Sequence, residues 1–368
     1  MTQVRHLFLV LFFATIASGC SSLAYYFQQS IPGHLNIMWK TQEIEEAILE
    51  TDDEVLKQRL TKIKDIRDYA SNEIKLPDNG SYRAYANIER DYVTWNVTAA
   101  PELSIEPRKW CYFVIGCASY RGYFNERDAE NYAKVVRDEG YDVYISRAIA
   151  YSTLGFFDDP VLNTMMRYSD AYLAGFIFHE LSHHVLYIKN DTEFNEAFAT
   201  AVEQISTMKW LMDQGQDIQI YLENIRREIS FRYLLIETRD KLKETFEQAI
   251  DDKDKRDQKA AIYAELRDKY EVLRKQWQNG KNYDHWFEQP LNNARMTSVL
   301  TYIDLIPAFY QLYLAANMEW DVFFEETKTL SEKEKPLRAL EVNRLAENGV
   351  TLLDIHEILA KTKHNASD

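Results

Sequence analysis

Phe178-His179-Glu180-Leu181-Ser182-His183-His184 is the stretch on which the reading of this chain turns. The segment 171–188 around it reads as an apolar helix. Helical residues four apart share a face, so His179 and His183 can each present an imidazole nitrogen to one point. Glu180 lies one step round the cylinder, within reach of a water at that point without being a ligand itself. The pattern H-E-x-x-H belongs to zinc sites in which the Glu serves as general base. A short motif is only a hypothesis, and the rest of the sequence has to support it.

A catalytic zinc takes three protein ligands and keeps one position open for water. Downstream, Phe194-Asn195-Glu196-Ala197-Phe198-Ala199 lies on a second predicted helix over 192–213. A turn around 189–192 folds that helix back antiparallel to the first, and Glu196 then approaches the ion from the opposite side. Its other reading is a first-turn carboxylate favoured by the helix dipole. That role suits Glu193 better, because Glu193 follows Asn190 and Asp191 at the expected cap. Glu203, seven residues past Glu196 on the same face, either orients a ligand imidazole or closes a polar patch. His184 points about 100° away from its neighbour His183, so packing or an outer hydrogen bond is expected of it.

The N-terminus is set aside before fold reasoning. Arg5 and His6 precede an apolar run over 7–16, and Ala17-Ser18-Gly19 lead into Cys20. The run is too short to span a bilayer comfortably and has the form of an export signal over 1–19. Ala17-Ser18-Gly19-Cys20 resembles a bacterial lipobox, which implies lipidation of Cys20 and a membrane anchor; an ordinary signal peptide cut near Ser18 is the other reading. Ser21 after the Cys implies transport to an outer membrane, so the expected location is the cell envelope, facing the periplasm. Export places Cys111 and Cys117 in an oxidising compartment, where they either form a small disulfide loop or stay as buried thiols on a strand pair. The net charge of −15 excludes nucleic acid as a partner and argues against attraction to anionic lipid.

Residues 20–80 read as an N-terminal helical segment. Ile44, Ala47 and Ile48 mark one apolar stripe, and Leu56, Leu60, Ile63, Ala70 and Ile74 mark the next, with Thr51 and Glu54 as its capping box. Residues 81–368 read as one domain. Its first part, 82–155, is a small α+β lobe: strands over 92–98, 110–115 and 141–145, and a helix from Asn125 or Asp128 to Val136, stopped by Gly140. Residues 218–250 and 259–278 form a helical hairpin whose seam is Ile218, Leu222, Ile225 and Ile229 against Ile262, Leu266, Leu273 and Trp277. The charged run 251–257 is its tip, and further helix follows over 292–316 and 330–361. The fold class is therefore α+β and mainly α-helical.

HELSHH at 179–184 with TEFNEAFATAVE at 192–203 resembles the gluzincin metallopeptidases, whose pattern is HExxH followed by an N-E-x-x-[AS] helix. It most resembles a bacterial family of predicted aminopeptidases, many of them lipoproteins. That family shares the signatures Tyr120-Arg121-Gly122-Tyr123-Phe124 and Tyr151-Ser152-Thr153-Leu154-Gly155-Phe156-Phe157, with another patch at Asn292-Asn293-Ala294-Arg295. The resemblance implies a zincin-like fold, a Zn2+ cofactor held by His179, His183 and Glu196, Glu180 as base, and a peptide substrate cut as an aminopeptidase would cut it. The chain departs from better-known gluzincins in the short gap between His183 and Glu196, which tightens the turn between the helices.

Two further assignments concern the substrate. The stretch 151–155 reads as an edge strand, so Ser152, Thr153, Leu154 and Gly155 would pair with an extended peptide. The oxyanion formed during hydrolysis needs a donor, and Tyr302 and Arg295 are the candidates. A competing class is a non-catalytic envelope lipoprotein that grips a partner with its hairpin; a binder has no need of Glu180. A zinc hydrolase of non-peptide amides uses the same water chemistry.

Overall fold

The N-terminal elements already belong to the body that carries the histidines. The computed structural model describes residues 29, 31–112, 116–150, 152–153, 157–277, 282–299 and 303–365. The leader, Cys20, Tyr151, Leu154, Gly155 and Tyr302 lie outside them. The described chain opens with α1 (Ile31–Trp39), β1 (Thr41–Glu43), α2 (Ile44–Glu50) and α3 (Glu54–Asn72). On α3, Leu60, Ile63, Ile66 and Ala70 are fully buried, in the same cluster as Phe178, Leu181 and Phe198 of the histidine-bearing region. Burial of such Leu, Ile or Phe side chains contributes about 1.5–3 kcal/mol each. The cap of α3 differs from expectation. Asp53 Oδ1 accepts from Val55 N at 2.9 Å and Leu56 N at 3.2 Å, and Thr51 Oγ1 merely accepts from Asp53 N. The carboxylate adjoining the first turn outcompetes a hydroxyl two residues back.

Next come β2 (Ala84–Ala86), β3 (Thr94–Pro101), β4 (Trp110–Tyr112), β5 (Gly116–Ala118), β6 (Tyr120–Tyr123), α4 (Glu126–Asp138), β7 (Tyr141–Ala148) and β8 (Val161–Leu162). Sheet order is β1-β2-β8 in one sheet and β6-β3-β7 in the second, where β3 runs antiparallel to both neighbours. Asn125 caps α4 by accepting from Asp128 N, and Gly140 ends the turn after it at φ +88°. Ala129, Ala133 and Val136 of α4 pack on Trp95, Val97, Ala99 and Val143. β4 and β5 form a short pair with Cys111 opposite Cys117, and the two are joined as a disulfide. Both cysteines are exposed, unlike the buried thiols of the other reading.

Two long helices follow, α5 (Asp170–Val185) and α6 (Thr192–Asp213), then the hairpin α7 (Gln219–Glu247) and α8 (Asp252–Lys275). The tip of the hairpin is shorter than expected. Asp251 caps α8 by accepting from Asp254 N at 2.8 Å, so most of the charged run 251–257 is helix. The seam also differs. Ile218 and Leu222 are buried in the main core, and the hairpin closes on Phe231, Leu234, Leu235 and Leu242 against Tyr263, Leu266 and Tyr270. Its aromatic members outweigh the isoleucine stripe because they bury far more area per residue.

The C-terminal part is broken more often than its apolar pattern predicts. It comprises α9 (Asp284–Phe287), α10 (Asn293–Thr297), α11 (Ile306–Ala315), α12 (Trp320–Ser331), α13 (Lys335–Ala346) and α14 (Leu352–Asn365). Pro307 and Pro336 stand in the first turns of α11 and α13, where a missing N–H costs nothing, and Gly349 at φ +66° separates α13 from α14. Among the described residues no helix is long and apolar enough to cross a membrane. The molecule is thus mainly helical with small sheets.

Candidate metal centre

Ser169 starts α5 by accepting from Tyr172 N at 3.3 Å, and Leu173, Ala174, Ile177, Phe178 and Leu181 bury its apolar side completely. That packing fixes the helix rotation and leaves His179 and His183 on the face turned toward α6. The turn between the helices is held by Asn195. Its Oδ1 accepts from Ile188 N at 2.9 Å and its Nδ2 donates to Ile188 O at 2.8 Å, with the side chain 1% exposed. Asn190 at φ +63° makes the reversal, and Asp191 is pinned by Arg338 of α13 at 2.6 Å. Asp191 thus spends its carboxylate on Arg338 rather than on capping α6. Glu196 follows directly from the clamped Asn195. We predict that Asn195→Ala costs about 2–3 kcal/mol, since two buried bonds are lost and Ile188 keeps unpaired main-chain groups. A denaturation midpoint equal to that of the parent chain would contradict the clamp.

His179, His183 and Glu196 converge. His179 Nε2 lies 3.4 Å from one Glu196 oxygen, and His183 Nε2 lies 3.8 Å from the other. One ligand atom from each residue falls within 4.8 Å of the others, and no fourth His, Cys, Asp or Glu joins them among the described residues. Metal–ligand bonds of about 2.0–2.2 Å at tetrahedral angles set donor atoms roughly 3.4 Å apart. The three side chains therefore fit a single divalent cation with one position left over. A His-His-Glu triad that can bind a metal is the plain content of this geometry.

The protonation pattern agrees with a cation site. Burial disfavours a charged His179 ring, but hydrogen bonds to Glu196 and Glu203 outweigh it and raise its pKa to about 10. Of the two contacts, that between His179 Nε2 and Glu196 lies on the side where a metal ion would sit. Burial, with the charge on His179, lowers His183 to about 4, so its imidazole is neutral near pH 7. Burial pushes the Glu196 carboxyl up, yet the His179 hydrogen bond and the nearby positive charges bring it below the usual range. Arg232 on α7 is one of those charges, and no feature of a charged hairpin helix marked it in advance.

Glu203 takes the first of its two sequence readings. Its carboxylate accepts from His179 Nδ1 at 2.9 Å, which fixes the tautomer and frees Nε2. Gly175 makes room for it: a Cβ there would meet Glu203 Cγ at 3.3 Å and Thr207 Oγ1 at 3.2 Å. We predict that Glu203→Gln weakens metal affinity about 10–100-fold while the fold persists. Chelator competition giving an unchanged affinity would remove Glu203 from this role. His184 turns away, with Nδ1 2.9 Å from Asn79 Nδ2, as its expected outer contact required.

Glu180 stands beside the cluster, half-buried, and desolvation raises its pKa against the opposing pull of His179 and a hydrogen bond from Ser152. Ser152 also hydrogen-bonds Asp159, whose buried carboxyl is raised to about 6. Here the structure corrects the sequence reading of 151–155. Neither Ser152 nor Thr153 is in a strand. Thr153 N donates to Asp159 Oδ2 at 2.7 Å, and its hydroxyl accepts from Phe157 N at 3.1 Å, so these groups of Thr153 are spent on local bonds. Leu154 and Gly155 lie outside the described residues. Ser152 touches the base itself and offers no open strand edge.

Of the two oxyanion candidates, Tyr302 lies outside the described residues. Arg295 is buried elsewhere, its guanidinium 4.9 Å from the centre of the Tyr144 ring and 4.8 Å from that of Trp286. Among the described residues it has no contact with His179, Glu180, His183 or Glu196. Tyr120 of β6 is an aromatic group whose pKa is raised by desolvation and then by the Glu196 charge, although about half of its surface is exposed (49%). Its segment was singled out in the sequence as a signature, but nothing there indicated which of its residues faces the site.

Two imidazoles and a carboxylate that could hold one cation, with the half-buried Glu180 carboxyl beside them, form a set shared by many hydrolases. Residues 24–341 match the family model described as "Putative aminopeptidase", and the chain belongs to that family. The match covers most of the chain, including every element of the metal centre, and it points to peptidase activity. No curated protein and no solved structure matches it.

Proposed function

We propose that this protein is a zinc-dependent aminopeptidase of the zincin type. The observation that carries the reading is the convergence of His179, His183 and Glu196 beside a half-buried Glu180, within a chain whose family is described as "Putative aminopeptidase". His179, His183 and Glu196 would hold the ion, which supplies Lewis acidity toward water and toward the scissile carbonyl. Two imidazoles and one carboxylate form one of the ligand sets that favour zinc among biological cations.

The chain's own residues do the rest. Glu180 accepts a proton from the attacking water and returns it to the leaving amine, and its raised pKa suits both steps. The Ser152 hydroxyl holds the Glu180 carboxylate in place. Glu203 keeps His179 in the tautomer that ligates. Tyr120, on the strand beside Glu196, is the donor we assign to the oxyanion. The acidic balance of the protein, −15, is compatible with substrates that carry a free amino terminus.

The leader and Cys20 support a location in the cell envelope, anchored by lipid, with the catalytic body reaching peptides in the periplasm. A panel of aminoacyl substrates and terminally blocked peptides, given to the zinc-loaded full chain, tests the activity. Hydrolysis of the free-amino substrates supports the proposal; hydrolysis of blocked peptides alone would leave a peptidase but end the aminopeptidase reading.

A further inference from the structure

Ser152 joins two carboxyl groups. Its hydroxyl hydrogen-bonds Glu180 on α5 and Asp159 on the loop before β8. The Asp159 charge acts on Glu180, and both carboxylates act on the Tyr82 hydroxyl, so the four side chains share one place. Asp159 is 1% exposed and is not a member of the cation cluster, which consists of His179, His183 and Glu196.

The loop that carries Asp159 is fixed from three directions. Asp159 Oδ2 accepts from Thr153 N at 2.7 Å, its N–H donates to Ser81 Oγ at 3.3 Å, and its carbonyl accepts from Tyr82 N at 2.7 Å. Ser81 and Tyr82 are held in turn by Arg67 of α3. Its guanidinium, fully buried, donates to the carbonyls of Pro77, Asn79 and Ser81 at 2.8, 3.0 and 2.8 Å. Tyr82 takes φ +61°, a left-handed conformation that a bulky residue seldom adopts. Its ring is 1% exposed and stands edge-on to Phe176 of α5, with 5.8 Å between centres. A residue in such a conformation persists only where its surroundings over-determine it. Here they bring one serine hydroxyl and two carboxyls together.

A hydroxyl has one proton and can give it to only one of two carboxyls. We propose that Asp159 is a positioning residue for Glu180: it engages the Ser152 oxygen so that the Ser152 proton points at the Glu180 carboxylate. The kinetic consequence rests on the peptidase reading; the contact itself does not. In this arrangement Asp159 is the donor, its carboxyl proton shared with Ser152 Oγ while Ser152 gives its own to Glu180. Asp159 orients and exchanges no proton with the substrate. Two carboxyls one hydroxyl apart in a desolvated place resist being ionised together. Burial, with Asp158 beside it, holds Asp159 up at about 6 against the bonds from Thr153 and Ser152. Tyr82, Glu180 and His34 of α1 also face it, and burial lowers the His34 pKa.

The test compares Asp159→Ala with Asp159→Asn in the zinc-loaded full chain. Asn keeps a donor for Ser152 and an acceptor for Thr153 and cannot ionise; Ala keeps neither. Asp159→Ala should lower kcat about tenfold with KM and bound zinc unaltered, and Asp159→Asn should recover that loss. The ratio of kcat/KM in Asp159→Asn to that of the parent should rise at least about threefold from about pH 5.5 to about pH 8. Only the parent gives up its orienting proton as the pH passes about 6. A purely structural Asp159 would leave that ratio flat, and this arm holds even if the alanine variant does not fold. Infrared spectra decide the contact without any substrate. A protonated-carboxyl band should be present in the parent at about pH 5.5, absent from Asp159→Asn and displaced in Ser152→Ala. Parent-like kcat in Asp159→Ala, a flat ratio or no such band overturns the proposal. The peptidase reading fails separately: there the parent chain would cleave no peptide while the infrared band still reported the Asp159 proton.

Discussion

Glu180→Gln is expected to lower kcat/KM by about a thousandfold while the metal stays bound. The loss corresponds to about 4 kcal/mol of transition-state stabilisation. Gln has the same length and can still accept the hydrogen bond from Ser152, so the half-buried position beside His179 tolerates it. What it cannot do is take a proton. Because the ligand atoms come from His179, His183 and Glu196, metal content should equal that of the parent chain. Steady-state kinetics with metal analysis on the same sample checks both halves. Activity within tenfold of the parent would exclude Glu180 as the base, and loss of the metal would show that it ligates.

Glu196→Ala is expected to do the reverse, removing metal first and activity as a consequence. The two imidazole nitrogens lie 3.4 and 3.8 Å from the Glu196 oxygens, and among the described residues no other carboxylate joins the set. Affinity should fall by more than the factor of about 100 that losing an outer partner can cost. The fold should hold, because the Glu196 side chain is 28% exposed and Asn195 next to it keeps the turn closed. In this variant His179 loses one of the two carboxylates hydrogen-bonded to it, so its pKa in the metal-free chain should drop toward the ordinary range. Competition against a chromophoric chelator reads the affinity; a value within threefold of the parent would take Glu196 out of the site.

The centre itself was legible because its ligands are set by helix periodicity and one tight turn. Residues 179, 183 and 196 could be placed on facing helices from spacing, whereas Glu203 was placed on the face of Glu196 with two readings open, and its bond to His179 Nδ1 decides between them. The partners that complete the site come from distant segments, and spacing is silent about those. Ser152 looked like part of an edge strand just upstream of the HExxH helix, yet Thr153 N is spent on Asp159 and Ser152 hydrogen-bonds Glu180. Helix ends after 292 were missed for a related reason. Apolar periodicity runs on through Pro307, Pro336 and Gly349, and only the backbone limits of those residues decide where each helix stops. Arg295 shows the converse error: a cation in a patterned segment suggested chemistry, whereas two rings enclose it.

The central claim is that α5 and α6 together hold one zinc ion. Anomalous diffraction at the zinc absorption edge, from crystals of the chain purified without chelator, addresses it most directly. The account predicts a single strong peak within bonding distance of His179 Nε2, His183 Nε2 and a Glu196 oxygen. A well-ordered crystal with no peak there, or with the peak seated on other residues, contradicts it.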